Sequence, residues 1–311
     1  MELRKDYILD RWVIISEKRA ERPKEYKHAE KDKEKVCYFC PGNENLTPPE
    51  IHRISEGGGW KIRVVPNKFP AVAREGQKEI RTDNTFFTFS DAYGTHEVII
   101  ETPVHDRQMA DLTEAEIASI IRVYCHRITE LSGSSKYVMV FKNEGAAAGT
   151  SLIHSHSQVV AMNIIPPLLR KEASASKKFD RCPFCTIIEP ERNSERRCFE
   201  NESFIAFSPY ASRFNYEIWI LPKKHIRSVR EIMDPELLQL AAILKAILAK
   251  LRGINASYNF YLHNSPEGED LHFHIEVTPR IANWAGFEFA SEITINSVSP
   301  ETAARFYRGE I

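Results

Sequence analysis

Runs of β-branched residues at 61–65 and 97–101 predict two strands. The period then changes. Ile117, Ile120, Ile121 and Tyr124 recur at helical spacing behind the cap Asp111-Leu112-Thr113-Glu114, which predicts a helix running to about Leu131. A further strand at 137–142 leads into the Gly/Ala loop 143–150, and Val159-Val160-Ala161-Met162 is an apolar run close behind it. The same succession then returns. Strand patterns fall at 203–207 and 216–221, and an amphipathic helix extends from Asp234 to about Arg252, with Pro235 suited to its first position. Strands at 258–262 and 271–277 complete the second round.

Chemistry-bearing residues follow the same order twice. Cys37-Tyr38-Phe39-Cys40 precedes the first round and Cys182-Pro183-Phe184-Cys185 the second, and each round closes on a histidine pair, His154/His156 and His272/His274. Glu97 to His105 is 8 residues, as is Glu217 to His225; His105 to His154 is 49 against 47 from His225 to His272. Agreement in order, element type and interval implies a duplicated unit. The stretch 169–180, rich in Lys, Ser and Ala, reads as a linker, which divides the chain into 1–175 and 176–311. The fold class is α+β, each half a mainly antiparallel sheet with a packed helix.

Composition narrows the class. With 311 residues, 42 % hydrophobic and 27 % charged, the chain reads as a soluble globular protein of one large or two ordinary domains. A net charge of −1 argues against a broad nucleic-acid surface. No apolar run approaches the roughly 20 residues of a membrane span, and no signal-peptide core follows Met1, so a cytoplasmic location is expected. Four of the six cysteines form the two CxxC pairs, and reduced thiols so spaced suit metal better than disulfides.

A structural zinc ion takes four thiolates and imidazoles. The repeat nominates Cys37, Cys40, His105 and His154 for one site and Cys182, Cys185, His225 and His272 for the other, hence two zinc ions per chain. His156 is then left to face a substrate. The loop before it offers small residues and backbone N–H groups near Gly149, Thr150 and Ser151, where a phosphate can approach closely. A neutral imidazole facing phosphorus is a competent nucleophile. Gln158, two residues on along the same face, can donate to a phosphate oxygen without adding charge. His274 holds the matching place in the second half, but Glu276 stands where Gln158 would be. A carboxylate repels phosphate, so the second half reads as a non-catalytic copy.

At these residues the chain resembles the galactose-1-phosphate uridylyltransferase branch of the histidine-triad superfamily. The likeness runs through Trp12-Val13-Ile14-Ile15-Ser16, Arg19, Arg22-Pro23, the first CxxC, Pro66-Asn67-Lys68-Phe69-Pro70, 143–149, His154-x-His156-x-Gln158 and Gly286-Phe287-Glu288. The resemblance implies ping-pong transfer of a nucleoside monophosphate, with UDP-glucose as donor, His156 as nucleophile and His154 as zinc ligand. It puts Arg22, Asn67, Asn143 and Ser151 on the nucleotide or its phosphates and Glu288 on the hexose of a hexose 1-phosphate. It also implies a homodimer in which the partner's C-terminal half closes each site. The family's lysine six residues before that glutamate is Ala282 here. His-Ser-His in place of His-Pro-His, with Gly286-Phe287-Glu288 and the following Ile295-Asn296, looks more like the branch that includes ADP-glucose phosphorylases. A nucleotide hydrolase of the same superfamily and a non-catalytic zinc-stapled nucleotide binder are the competing readings.

Overall fold

A computed structural model describes residues 2–5, 12–15 and 36–311. In chain order the strands and helices of the first part are β1 (Glu2–Lys5), β2 (Trp12–Ile15), β3 (His52–Glu56), β4 (Gly59–Pro66), β5 (Arg81–Asp83), β6 (Phe87–Asp91), β7 (Gly94–Ile100), α1 (Glu114–Ser132), β8 (Tyr137–Glu144), β9 (His156–Met162) and α2 (Pro167–Ser176). The second part supplies α3 (Pro183–Arg192), β10 (Arg197–Glu200), β11 (Phe204–Phe207), β12 (Ile218–Pro222), α4 (Asp234–Gly253), β13 (Tyr258–His263), β14 (His274–Pro279), α5 (Gly286–Ser291) and α6 (Pro300–Arg308).

Ten of these strands form one antiparallel sheet in the order β10-β11-β12-β14-β13-β8-β9-β7-β4-β3. Read inward from either edge the order is the same: β3-β4-β7-β9-β8 from one side, β10-β11-β12-β14-β13 from the other. The two sets meet where β8 pairs with β13. Strands β2-β1-β6-β5 make a separate small sheet. Helices α1 and α4 bury their apolar faces in one core that runs across the seam, with Ile117, Ile121 and Ile128 from α1 and Leu240, Leu244 and Leu248 from α4.

Local sequence accounts for the element ends. Thr113 caps α1 as expected: its hydroxyl accepts from Glu116 N–H at 3.2 Å, and Glu116 accepts from Thr113 N–H at 2.7 Å. Pro235 takes the second place in α4, one residue later than expected, because Asp234 already has helical geometry. The expected strand 271–277 starts only at His274, since Phe273 N–H is drawn out of the ladder to the Ile226 carbonyl. The expected linker 169–180 is corrected for most of its length. Residues through Ser176 belong to α2, where Leu169 and Ala173, four apart, pack with Tyr137 and Leu271.

One alignment drawn from spacing is also corrected. Ile99 lies opposite Ser157, and Ile220 lies opposite Ile275. Ser157 and Ile275 each follow a histidine pair by one residue, so Ile99 matches Ile220 and Glu97 matches Ile218, not Glu217. A slip of one residue turns a side chain to the other face of a sheet. Glu97 accordingly turns to α1, where Arg127 grips it at 2.8 and 2.9 Å. Glu217 bonds Arg213 at 3.0 Å and the Trp219 indole at 3.0 Å, on the opposite side.

Candidate active site and metal centres

The eight nominated ligands fall into two clusters, Cys37/Cys40/His105/His154 and Cys182/Cys185/His225/His272, whose ligand atoms lie within 4.8 Å of one another. A tight turn, with Cys40 N–H bonded to the Cys37 carbonyl at 3.4 Å, brings the first thiol pair together. In the second, Cys182 sits at the N-cap of α3 and Pro183 starts the helix. His154 Nδ1 is 3.5 Å from Cys37 Sγ and 3.7 Å from Cys40 Sγ; His105 Nδ1 is 3.4 Å from Cys40 Sγ. Cys185 Sγ is 3.3 Å from both His225 Nδ1 and His272 Nδ1.

These separations fit a metal. A tetrahedron with sulfur at about 2.3 Å and nitrogen at about 2.0–2.1 Å has edges of roughly 3.4–3.8 Å. The tautomers agree. His154 Nε2 donates to the Thr102 carbonyl at 2.7 Å and His272 Nε2 to the Pro222 carbonyl at 3.0 Å, so each ring keeps an unprotonated Nδ1 turned toward the thiols. His225 is held by Asp270 at 3.0 Å in the same sense.

His156 begins β9 just past this cluster and is buried, its ring set at a steep angle to that of Phe39 with 5.5 Å between the ring centres. Its Nδ1 lies 2.8 Å from the His154 carbonyl. A carbonyl only accepts, so Nδ1 carries the proton and Nε2 keeps its lone pair. Burial, and then the nearby Lys142 charge, pull the ring down to about 4, so it is neutral at physiological pH. His156 and Gln158 line one cavity together with Asn67, Gly149, Thr150 and Ser151; Phe39 and Val65 give it apolar wall.

Gln158 is aimed by a residue that the sequence reading missed. Ala71 N–H donates to His96 Nδ1 at 2.9 Å, which puts the ring proton on Nε2, 2.9 Å from Gln158 Oε1. With its oxygen engaged there, Gln158 is left with its amide N–H groups as donors. Asn67 Nδ2 sits 3.1 Å from the same His96 nitrogen, and Asn67 Oδ1 accepts from Phe69 N–H at 2.8 Å. No periodicity or spacing marks His96; only the fold brings it under Gln158.

The 143–150 loop closes on a short turn, Ala146–Ala148, between two glycines with positive φ, 83° at Gly145 and 80° at Gly149. At Gly145 a side chain is doubly excluded, since a Cβ would come within 2.2 Å of Ser257 Oγ. Asn143 does not line the cavity. Its oxygen accepts from Asn259 at 2.8 Å, and Asn259 also holds the Ala148 carbonyl at 2.9 Å, so the pair anchors the loop from behind. Glu288 lies apart from the cavity as well, on exposed α5, where it accepts from Ala285 N–H at 3.0 Å. Arg19 and Arg22 lie outside the described residues.

In the other half His274 repeats the internal bond, with Nδ1 3.0 Å from the His272 carbonyl. Its surroundings are closed. Phe184 stacks on it at 4.8 Å, Trp219 lies at 5.6 Å and His263 meets it edge-on at 4.6 Å. Glu276 stands 3.8 Å from His274 Nε2 and accepts from Arg213 at 2.5 Å and Tyr261 at 2.8 Å. Burial pushes the Glu276 carboxyl up, but His274, His263 and Arg213 outweigh it and hold it well below the usual range. Glu172, bonded to His263 at 2.9 Å, completes a grouping with His274 and Glu276 that the sequence did not announce.

One antiparallel sheet with two histidine pairs and two thiol clusters defines an α+β protein built from two like units in one chain. Residues 2–166 match the profile of the galactose-1-phosphate uridyl transferase N-terminal domain, and 93–306 match a domain of unknown function. The chain is 34 % identical to an ADP-glucose phosphorylase of Arabidopsis thaliana, over 99 % of this chain and 92 % of that one. It is 28 % identical to a galactose-1-phosphate uridylyltransferase of Thermotoga maritima, over 99 % and 98 %. The solved Arabidopsis thaliana ADP-glucose phosphorylase with bound ADP-glucose superposes with a TM-score of 0.79 at 31 % identity, covering 99 % of both chains. The chain belongs to the galactose-1-phosphate uridyl transferase family.

Proposed function

We propose that the protein is a hexose-1-phosphate nucleotidyltransferase working by ping-pong through a nucleotidyl-His156 intermediate. The observation that carries this reading is the unprotonated Nε2 of His156, buried in a cavity beside Gln158. Nε2 attacks the α-phosphorus of a nucleotide sugar, and hexose 1-phosphate departs with the electrons of the broken P–O bond. An oxygen of the second sugar phosphate then attacks the same phosphorus and returns the N–P electrons to Nε2. Gln158 donates to the phosphoryl oxygens, while Asn67, Gly149, Thr150 and Ser151 border the nucleotide. Arg19 and Arg22 complete the substrate contacts that the family resemblance nominates, and Asn143 serves the site through the loop that it anchors to Asn259. Residues 1–175 form the catalytic half and 176–311 its non-catalytic repeat.

The relatives named as galactose-1-phosphate uridylyltransferases support UDP-glucose as donor and galactose 1-phosphate as acceptor. The 34 % identical ADP-glucose phosphorylase favours a second reading, adenylyl transfer from ADP-glucose to phosphate. Crossing UDP- and ADP-glucose with phosphate and hexose 1-phosphates separates them. A tenfold higher kcat/KM for ADP-glucose with phosphate overturns the uridylyl assignment.

Both thiol clusters are assigned zinc, which supplies a rigid tetrahedral tie. The first holds the Phe39 turn and His154, and through them the wall and backbone beside His156. A homodimer fits the exposed apolar side chains Phe287, Phe289, Ile293 and Ile295 around Glu288, which then reaches the hexose in the partner's site. Sedimentation of a monomer alone rules that out. None of the described helices is long and apolar enough to cross a membrane, and a cytoplasmic setting suits reduced thiols.

A further inference from the structure

Directly beneath His156 lies a buried polar network whose hydrogen bonds none of the steps above uses. Lys142 and Glu101, both with fully buried side chains, pair at 2.8 Å. Lys142 also donates to Ser155 Oγ at 2.9 Å and to the His156 carbonyl at 3.1 Å, which occupies all three of its N–H groups. Glu101 accepts on Oε2 from Ser155 at 2.6 Å and on Oε1 from Ser157. The Tyr124 hydroxyl, from α1, lies 2.6 Å from Ser157 Oγ and 3.2 Å from Glu101 Oε1. Burial pushes the Glu101 carboxyl up, yet the Lys142 charge and these hydrogen bonds bring it below the usual range.

The other half of the sheet does without any of this. By the histidine pairs, Phe273 and Ile275 stand where Ser155 and Ser157 do. Leu262 lies opposite Ile275 as Lys142 lies beside Ser157, and Leu244 sits eleven residues past the cap of α4 as Tyr124 does past that of α1. Pro222, two residues beyond Ile220, takes the place of Glu101. All five are buried. That half still makes the internal bond from His274 to its backbone. A buried ion pair is often matched or bettered in stability by well-packed apolar residues. Stability therefore does not explain five buried polar side chains on one side only.

We propose that Glu101, Tyr124, Lys142, Ser155 and Ser157 are positioning residues that fix the backbone on both sides of His156 while its Nε2 forms and releases the bond to phosphorus. The inference rests on the nucleotidyl-histidine reading. Side chains alternate along a strand, so Ser155 and Ser157 bracket His156 from the helix side while the ring faces the cavity. Packing resists displacement gradually, whereas directed bonds to a carbonyl and two hydroxyls fix one register. Reactive atoms misplaced by about 1 Å cost on the order of 100-fold in rate.

The test is the pair of substitutions Glu101→Leu with Lys142→Met, which removes both charges together. Single-turnover labelling by UDP-glucose and by ADP-glucose, without acceptor, is compared with nucleotide Kd and thermal unfolding. The expected result is a Tm equal to or above that of the wild type, Kd within threefold, and labelling about 10- to 100-fold slower. A folded double variant that labels at the wild-type rate overturns the inference alone. Wild-type protein that takes no label from either donor overturns the functional reading and this inference with it. If the double variant does not fold, Tyr124→Phe decides: labelling at least threefold slower at unchanged Kd supports the network, and an unchanged rate overturns it.

Discussion

The strands that carry His156 and His274 are counterparts in one sheet, each leaving a thiol cluster and each bonding its histidine to the carbonyl two residues back. They part company at their neighbours. Opposite Gln158 stands Val98, and opposite Glu276 stands Trp219. Val98 leaves open the cavity that reaches His156, whereas Trp219 and Phe184 fill the matching space over His274. Beneath the strands the polarity is reversed, with charges and hydroxyls under His156 and hydrocarbon under His274. A duplicated unit has thus kept its thiol–imidazole cluster and its histidine on both sides. Access and the second polar group, not the imidazole, separate the side proposed to react from the side proposed to be silent.

The comparison breaks most decisively at the histidines themselves. His156→Ala should lower turnover on the order of 10^4-fold or more, because no neighbouring group can form the same intermediate. His274→Ala should leave turnover within a few-fold. Labelled donor without acceptor should leave one acid-labile nucleotidyl group per chain, and peptide mapping should find it on His156. Label on His274, or comparable losses in the two variants, ends the asymmetry.

Metal loss should be felt on both sides, but differently. Cys37→Ser and Cys182→Ser should each lower the zinc content from two ions per chain to about one and the Tm by about 10 °C, since structural metal binding is coupled to folding. Only Cys37→Ser should also slow labelling in protein that remains folded, because His154 supplies the carbonyl that fixes the His156 tautomer. Elemental analysis with calorimetry checks the first part. Equal labelling rates for both variants refute the second.

The closed side has its own buried charge balance, beside His274. Arg213 bonds Glu217 at 3.0 Å and Glu276 at 2.5 Å, and both carboxylates are almost wholly buried. Arg213→Met removes the guanidinium that bonds both, which should cost about 3–5 kcal/mol. Denaturant unfolding should show that loss at neutral pH. Labelling of His156 should persist at nearly the wild-type rate below the new midpoint.

Much of this architecture was legible in the chain. β-Branched runs and helical spacing located the sheet strands around each histidine pair, and repeated intervals gathered all eight thiol and imidazole ligands into their clusters. The failures share one cause: pattern along the chain does not fix register or face across it. Equal spacing matched Glu97 with Glu217, but pairing shifts β12 by one residue and turns those carboxylates to opposite faces. Leu169 and Ala173 were hidden among lysines and serines, so a packed helix read as a linker. His96, Glu101 and Lys142 carry no motif, and they meet Gln158 and the serines only because β7, β8 and β9 lie side by side. The bond from Asn259 to the Asn143 oxygen behind the loop had no mark in the sequence either, since the two strands that bring them together are paired only in the fold.

The smallest expected difference lies at the starts of the two helices. Glu116 of α1 accepts from Thr113 N–H at 2.7 Å and the Thr113 hydroxyl at 2.9 Å, and it pairs with both Arg107 terminal nitrogens at 2.7 and 2.8 Å. Glu236 of α4 holds the same position but accepts only from Met233 N–H, at 2.8 Å, and methionine has no hydroxyl to reciprocate. Burial raises the Glu116 carboxyl, but Arg107 and Thr113 together outweigh it and pull it down to about 2, against 4.5 for the free group. A lowered carboxyl stabilises the fold above its unfolded pKa, and the contribution fades as pH falls from about 4.5 toward 2. Glu116→Gln should therefore cost about 1–2 kcal/mol at pH 7, with the difference from wild type shrinking across that window. Glu236→Gln should cost under about 0.5 kcal/mol. Urea unfolding of both variants at pH 7, 4 and 3 measures the two differences. A cost for Glu116→Gln that is flat with pH means the carboxylate charge is not what closes the first turn of α1, and equal costs for the two variants mean that the helices are capped alike.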